Sequence, residues 1–235
     1  NHGLLQIFNR PQWKTVLNGC KTYIDKALNE IDKKFLNEPV LEVISENNKV
    51  KLITDQRIEN FDYCVMCSHP PETLEMLKSA DFETKDLLSK FKFQKNEAVL
   101  HLDESVLPEK KIAWASWNYL STKSIDGNDS VSVSYLINKL QPLPFKKSVI
   151  VTLNPVSNID NKKIIKKISY QHPIFSTETI LAQDKFKKIQ GRKGIYFSGA
   201  WMRNGFHEDG ILSTKKIIKQ LLGNAAENRN LIEVL

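Results

Sequence analysis

The sequence predicts a mixed α/β chain in which a middle region, built on a mostly antiparallel sheet, is inserted into an α/β domain formed by the residues before and after it. Three observations carry this. Residues 194–222 read GIYFSGAW, then GFHEDG from 205, then ILSTKKIIKQLL from 211: a short apolar strand, a glycine-punctuated loop and an amphipathic helix that stops at Gly223. Residues 98–172 hold repeated strand-like segments separated by polar turns, a texture that argues for antiparallel pairing. Residues 20–36 carry the spacing of a helix with one apolar face.

In chain order, Ile24, Leu28, Ile31 and Phe35 fall on one side of a helix over 20–36, and Asn37 with Pro39 ends it. Residues 40–44 and 50–54 flank Glu46-Asn-Asn and predict a β-hairpin. Residues 62–67 form a short apolar run expected to be a buried strand, broken at Pro70 and Pro71, with a short helix over 72–77. Strands are expected at 98–102, 112–119, 131–136, 148–153 and 168–172, with a polar turn at 126–129. Pro142 and Pro144 punctuate the middle of this region. The expected organisation is residues 1–79 as the first domain segment, 80–185 as the inserted domain, 186–223 as the returning strand and helix, and 224–235 as a tail.

Composition narrows the function classes. An apolar share of 41% over 235 residues is enough for a sizeable core, and no run of eighteen apolar residues is present to span a membrane. The net charge of +7 comes from lysines spread through the chain. Their densest runs, at 162–167 and 215–219, alternate with apolar pairs, as exposed faces of ordinary elements do. Nucleic-acid binding calls for a basic stripe with aromatic stacking platforms, which the sequence lacks. Peripheral attraction to an anionic membrane surface fits the charge better. Three cysteines suit a reducing compartment more than a disulfide framework, so a cytoplasmic location is expected.

The terminal strand–loop–helix closely resembles the flavin-contacting segment of the FAD-dependent amine oxidase superfamily, in its bacterial NAD/FAD-binding branch. Other stretches resemble that branch in the same order: RPQWKTV (10–16) with NGCKTY (18–23), FDYCVMCSHPP (61–71), AVLHLD (98–103) with AWASWNY (113–119), and QHPIF (171–175). Together they cover residues 1–223. The superfamily opens with G-x-G-x-x-G after its first strand, and no such glycine spacing occurs here. The resemblance therefore implies the C-terminal part of a longer flavoprotein, with the N-terminal half of that polypeptide as a partner and FAD as cofactor.

The resemblance also implies the site. Backbone amides at the start of the last helix would face the flavin's pyrimidine edge, making Gly199, Ala200, Trp201, Gly205, Phe206, Glu208, Asp209, Gly210 and Ile211 the cofactor-binding residues. Gly199 and Gly210 would be the positions of closest approach; a side chain at 210 would come between the helix N-terminus and the ring, and would also strain the backbone if φ there is positive. Val40 would pair with the adenine through its backbone. His207 and Glu208 are the titratable pair beside the presumed flavin and the candidates for proton handling. Trp117 and Tyr119, on one face of their strand with Trp114 opposite, would wall a pocket for a small-molecule or lipid-like substrate. Cys64 and Cys67 read as packing residues, buried, reduced and without metal, because strand periodicity sends them to opposite faces. The implied activity is FAD-dependent oxidation of the amine oxidase type. A lipid or isoprenoid desaturase or isomerase on the same scaffold, and a non-catalytic fragment that cannot bind FAD alone, remain open at this point.

Overall fold

Residues 40–54 form the expected hairpin. Strand β1 (Val40–Glu46) pairs antiparallel with β2 (Lys49–Thr54), in a register that runs from Glu46↔Lys49 to Val40↔Thr54 with an irregularity between Val40 and Glu42. The computed structural model describes residues 8–9, 14–47, 49–123 and 129–223. The expected turn at 126–129 lies almost wholly outside them, as do the tail and most of residues 1–13. The chain divides into two units, one of residues 35–94 and 171–235, the other of residues 1–34 and 95–170.

In the first unit, β3 (Ile58–Phe61) adds to β2 and completes a three-stranded antiparallel sheet in the order β1-β2-β3. Val43 and Val50 turn inward and are fully buried. At its edge Glu38 grips Arg57: Arg57 Nε donates to Oε1 at 2.7 Å and Nη2 donates to Oε2. The Arg57 guanidinium lies 3.5 Å over the ring of Phe35. The expected helix over 20–36 is shorter: α1 spans Lys21–Asn29 and ends at Glu30, and Phe35 lies beyond it, beneath Arg57.

Strand β4 (Cys64–Met66) pairs in parallel with β10 (Ile195–Phe197), Cys64 opposite Ile195 and Met66 opposite Phe197. A parallel pair needs a long crossover, and here 128 residues intervene, from Cys67 to Gly194. Helix α2 (Pro70–Met76) starts at the two prolines, which suit a first helical turn where no N–H is needed. Two helices fall where the sequence reading expects none. Asp81 caps α3 (Phe82–Ser89) by accepting from Thr84 N at 2.8 Å, and Ser176 caps α4 (Thr177–Lys185) by accepting from Thr179 N at 3.2 Å. Leu87, Leu88 and Phe91 from the α3 end and Ala182 from α4 join the core around Phe186 and Phe197. Both helices lie in this unit, whose limits within the chain are 94/95 and 170/171. Phe186 meets Phe91, Phe197 and Trp201 edge-on at centroid distances of 5.4, 5.6 and 5.2 Å. Full burial of each such ring contributes about 1.5–3 kcal/mol.

The second unit holds α1 and a five-stranded sheet of order β6-β7-β8-β5-β9. Its strands are β5 (Lys92–His101), β6 (Trp117–Lys123), β7 (Asp129–Leu136), β8 (Ile150–Leu153) and β9 (Ile164–Ile174); the ends of β5 and β9 run across the unit boundaries. Strand β6 pairs with β7, β7 with β8 and β8 with β5, each antiparallel. The strand expected from residue 112 begins only at Trp117. Lys111–Ala113 form a single 3-10 turn, and Trp114 donates its Nε1 to Pro108 O at 2.7 Å, so it does not sit opposite Trp117 on a strand.

The two faces of this sheet have unequal chemistry. One buries His101, Ser132, Ser134 and Thr152 beside Val99, Leu136 and Ile150. His101 Nδ1 accepts from Asp103 N at 3.1 Å and its Nε2 lies 2.8 Å from Thr152 Oγ1, which lies 2.9 Å from Ser134 Oγ. With Nδ1 as acceptor, the ring is neutral and carries its proton on Nε2. Across the sheet, Trp117, Tyr119, Val133, Tyr135, Val151 and Leu153 share the opposite face and stay partly or largely exposed.

Candidate functional site

The loop between β10 and α5 (His207–Leu222) gathers most of the expected cofactor-binding residues within one unit. Ile195, Tyr196, Phe197 and Ser198 are all buried. Ser198 N donates to Met66 O at 3.0 Å, continuing the parallel ladder one step beyond the strand. The other edge of β10 is closed by Gln190, whose Nε2 donates to Phe197 O at 2.7 Å and whose Oε1 accepts from Phe197 N at 2.8 Å.

Hydroxyl groups then fix the loop to the helix. Ser198 Oγ lies 2.9 Å from Ser213 Oγ and 2.8 Å from Thr214 Oγ1, and both of these donate to Gly210 O, at 2.7 and 3.1 Å. Gly199 N donates to Ser213 Oγ at 3.0 Å. Gln183 holds the far side of the loop by donating to Trp201 O at 2.9 Å and Arg203 O at 2.6 Å. The sequence reading named none of these hydroxyl and amide side chains. Their only signal was Ser213 and Thr214 lying one helical turn after Asp209 and Gly210, on the face that returns to the strand.

Asp209 is the buried charge of the site. Its side chain has no exposure; Oδ2 accepts from Phe206 N at 3.0 Å and from Asn204 N at 3.2 Å, while Oδ1 pairs with Arg203 Nε at 3.2 Å. It ties the loop to the first helical turn, where a helix presents backbone N–H groups and a positive dipole end. The neighbouring pair differs: His207 and Glu208 are both exposed.

A groove of about 370 Å³ runs along α5 from its first residue to Ile218, lined by Ala200, His207, Gly210, Ile211, Thr214, Lys215 and Ile218. Gly210 is helical and its φ is not positive, so the conditional reason given for its lack of a side chain does not apply. A Cβ there would meet only Ala200 N, at 3.8 Å, and the glycine instead leaves the groove floor open. Gly199 differs: a Cβ at that position would collide with the indole of Trp201. The indole Nε1 of Trp201 is itself buried and has no hydrogen-bond partner among the described residues. Gly205, at φ +84°, turns the chain under Phe175, whose ring a Cβ would meet at 3.2 Å. Phe206 is partly exposed and forms the N-cap position of α5.

The remaining expected residues lie apart from this loop. Val40 opens β1 and packs against the same core cluster as Trp201. Trp117 and Tyr119 sit side by side on edge strand β6 of the other unit, Trp117 meeting Tyr135 edge-on at 6.3 Å. Cys64 is half-buried, and burial pushes its thiol up to about 11. Cys67 is exposed, a correction to the expectation that both would be buried, because the chain turns outward after Met66 toward α2. Among the described residues no cluster of His, Cys, Asp and Glu is arranged to hold a metal ion. No helix among them is long and apolar enough to cross a membrane.

Comparison of the sequence with protein-family models and with curated proteins finds no match. Comparison of the structure does. The chain is similar to a fatty acid isomerase from P. acnes that produces CLA, at 15% identity and a TM-score of 0.59 over 86% of this chain and 52% of that one. It is similar to a candidate protoporphyrinogen oxidase from Exiguobacterium sp. 255-15, at 13% identity and a TM-score of 0.57 over 86% of this chain and 51% of that one. The chain spans about half the length of each solved structure. The likeness establishes the fold: a mixed α/β chain with mostly antiparallel sheets, sharing the arrangement of half of each of these proteins.

Proposed function

We propose that this chain is the C-terminal part of an FAD-dependent oxidoreductase, carrying the substrate domain and part of the flavin site. The observation that carries the reading is the groove beside the start of α5. It is open because residue 210 lacks a side chain and residue 200 has only a methyl, and its walls are Ile211 and Ile218. A planar, largely apolar ring with one electron-rich edge suits such a groove at a helix N-terminus. The resemblance of residues 194–222 and the shared fold support the same cofactor.

When bound, FAD supplies the electron-accepting chemistry. This chain's residues do the rest. The first turn of α5 favours negative charge near it by about 0.3–1 kcal/mol, and more where partly buried. Asp209, Ser198, Ser213 and Thr214 hold that turn in place, so little reorganisation is needed when charge develops. His207, on the groove wall, is placed to exchange a proton with a bound molecule; Glu208 is its exposed neighbour.

The sheet face bearing Trp117, Tyr119, Val133, Tyr135, Val151 and Leu153 carries no charge in these side chains and is partly open. That chemistry supports a lipid-like substrate over a cationic amine, and the isomerase among the similar structures fits the same reading. An assay with unsaturated fatty acids against primary amines, on a longer polypeptide that contains this chain, decides between the two. Turnover of amines alone would reject the lipid reading. The cofactor reading is tested separately, by adding a polypeptide that carries G-x-G-x-x-G to this chain and measuring bound flavin. No flavin above that held by the added polypeptide would reject it.

A further inference from the structure

We infer that the cleft between α4 and α5 is an anion-binding site for a phosphate-bearing group. The cleft lies on a different face of α5 from the groove described above, has a volume of about 400 Å³, and falls within one unit. That volume sits within the usual range of small-ligand pockets, about 300–1,000 Å³. Its apolar lining is Ile180, Met202 and Ile217.

Charge is what makes it specific. Residues 177–222 contain nine Lys and Arg against four Asp and Glu, so most of the chain's net positive charge is concentrated here. Lys187, Arg203 and Lys216 line the cleft, with Asp184 the one acidic residue among the lining. Asp184 pairs with Lys187 at 3.1 Å on the exposed rim. Asp209, behind the cleft, is buried and engages Arg203 through Nε, at 3.2 Å; among the described residues the two terminal guanidinium nitrogens have no ion pair. Lys216 likewise has none. The cleft therefore keeps net positive charge after both carboxylates are counted.

Arg203 is anchored at its backbone, where Gln183 donates to its carbonyl at 2.6 Å, and its Nε lies 3.2 Å from Asp209 Oδ1. A planar fork suits two oxygens of a phosphate, and a flexible lysine adds a point charge beside it. The amides of Gln183, Gln190 and Gln220 are engaged with backbone carbonyls, so anchoring falls to Arg203 and Lys216, with Lys187 recruited from its exposed pair. An exposed pair of that kind is worth about 0–1 kcal/mol and yields readily to a doubly charged anion.

The 235-residue chain is titrated with inorganic pyrophosphate by calorimetry at low salt, and its co-flotation with phosphatidylcholine vesicles is measured with and without phosphatidylglycerol. Saturable one-to-one pyrophosphate binding is expected, weakened at least tenfold in Lys187→Glu/Lys216→Glu. The control Lys162→Glu/Lys166→Glu, in the other unit, makes the same charge change and should bind as the wild type does. Vesicle binding lost with the same cleft variant assigns the phosphate to a lipid headgroup; pyrophosphate binding without vesicle binding assigns it to a free phosphate compound. Absence of saturable pyrophosphate binding, or equal weakening in both double variants, would overturn the site. Circular dichroism of each variant shows that the fold is kept, since all four lysines lie on the surface.

Discussion

The amide of Gly199 donates to the hydroxyl of Ser213 at 3.0 Å, and through this bond the end of β10 is locked to the second turn of α5. Ser213 Oγ in turn donates to Gly210 O at 2.7 Å, so one hydroxyl serves both glycines of the loop. The geometry explains why residue types that look like spacers in the sequence are constrained. Glycine at 199 is needed for Trp201, glycine at 210 for the groove.

Gly199→Ala should destabilise the chain. The added Cβ meets the Trp201 indole, which is wedged between Phe91 and Phe186 and cannot easily move. Overpacking of this kind costs about 1–3 kcal/mol. For a chain of this size that is a fall of about 2–4 °C in Tm per kcal/mol, read by thermal unfolding. An unchanged Tm would mean that Trp201 has room to shift.

Asp209→Ala should also destabilise the loop. It removes the acceptor for two backbone N–H groups and the ion-pair partner of the exposed Arg203, at a cost of about 1–3 kcal/mol. Asp209→Asn keeps the shape and one acceptor oxygen and should recover part of the loss in urea unfolding. Equal stability of the two variants would remove the carboxylate from this account.

Stability should fall between pH 7 and pH 5 because of His101. Burial holds its ring below the ordinary histidine value, partly offset by Asp103, and a second proton on Nδ1 would face the Asp103 N–H. In the unfolded chain the ring titrates near about 6.5, so the unfolded state binds more protons below that pH and is favoured by up to about 1.4 kcal/mol per pH unit. Asp103 is also depressed: burial works to raise it, but hydrogen bonds from Asp160 N, Lys163 and Ser105 outweigh that. Its contribution is present above about pH 4 and is lost only below it. Urea midpoints at pH 7.5 and 5.5 check this, and His101→Leu should flatten the difference while lowering both values.

Cys64 should react with a thiol reagent far more slowly than Cys67 at pH 8. Its thiol is pushed up to about 11 by burial; burial raises the Cys67 thiol as well, but that side chain is exposed after the strand end and open to the reagent. Mass spectrometry of the labelled peptides at short times gives the order. Equal labelling would mean that β4 opens readily from β10.

Much of the fold was legible because periodicity and turn chemistry agreed locally. The 40–54 hairpin, the parallel-paired strands at 64–66 and 195–197, and the helix ending at Gly223 follow from apolar spacing and Gly, Asn or Pro punctuation. Helices α3 and α4 were missed although Asp81 and Ser176 are ordinary caps, because each is short and lies in a stretch whose texture is dominated by strands. The site was legible in its backbone and not in its support. Gly199, Asp209 and Gly210 stand in a recognisable string, but Gln183 and Gln190 reach the loop from before β10, and no local pattern tells a glutamine that pairs with a backbone from a solvated one. The unequal faces of the five-stranded sheet were hidden for a related reason. Ser132, Ser134 and Thr152 are polar, yet they are inside, and Thr152 and Ser134 are joined to His101.

The most direct measurement is bound flavin per chain, by absorbance after desalting, in a longer polypeptide that contains these residues together with a G-x-G-x-x-G segment. The wild type and Lys110→Ala, an exposed surface control, should hold about one FAD. Gly210→Val should keep its fold, because the nearest atom to the new Cβ is 3.8 Å away and the helix gains propensity, yet it should lose flavin because the branched side chain fills the groove. Full flavin content in a folded Gly210→Val protein would contradict the proposal, since the cofactor would then lie somewhere other than the groove at the start of α5.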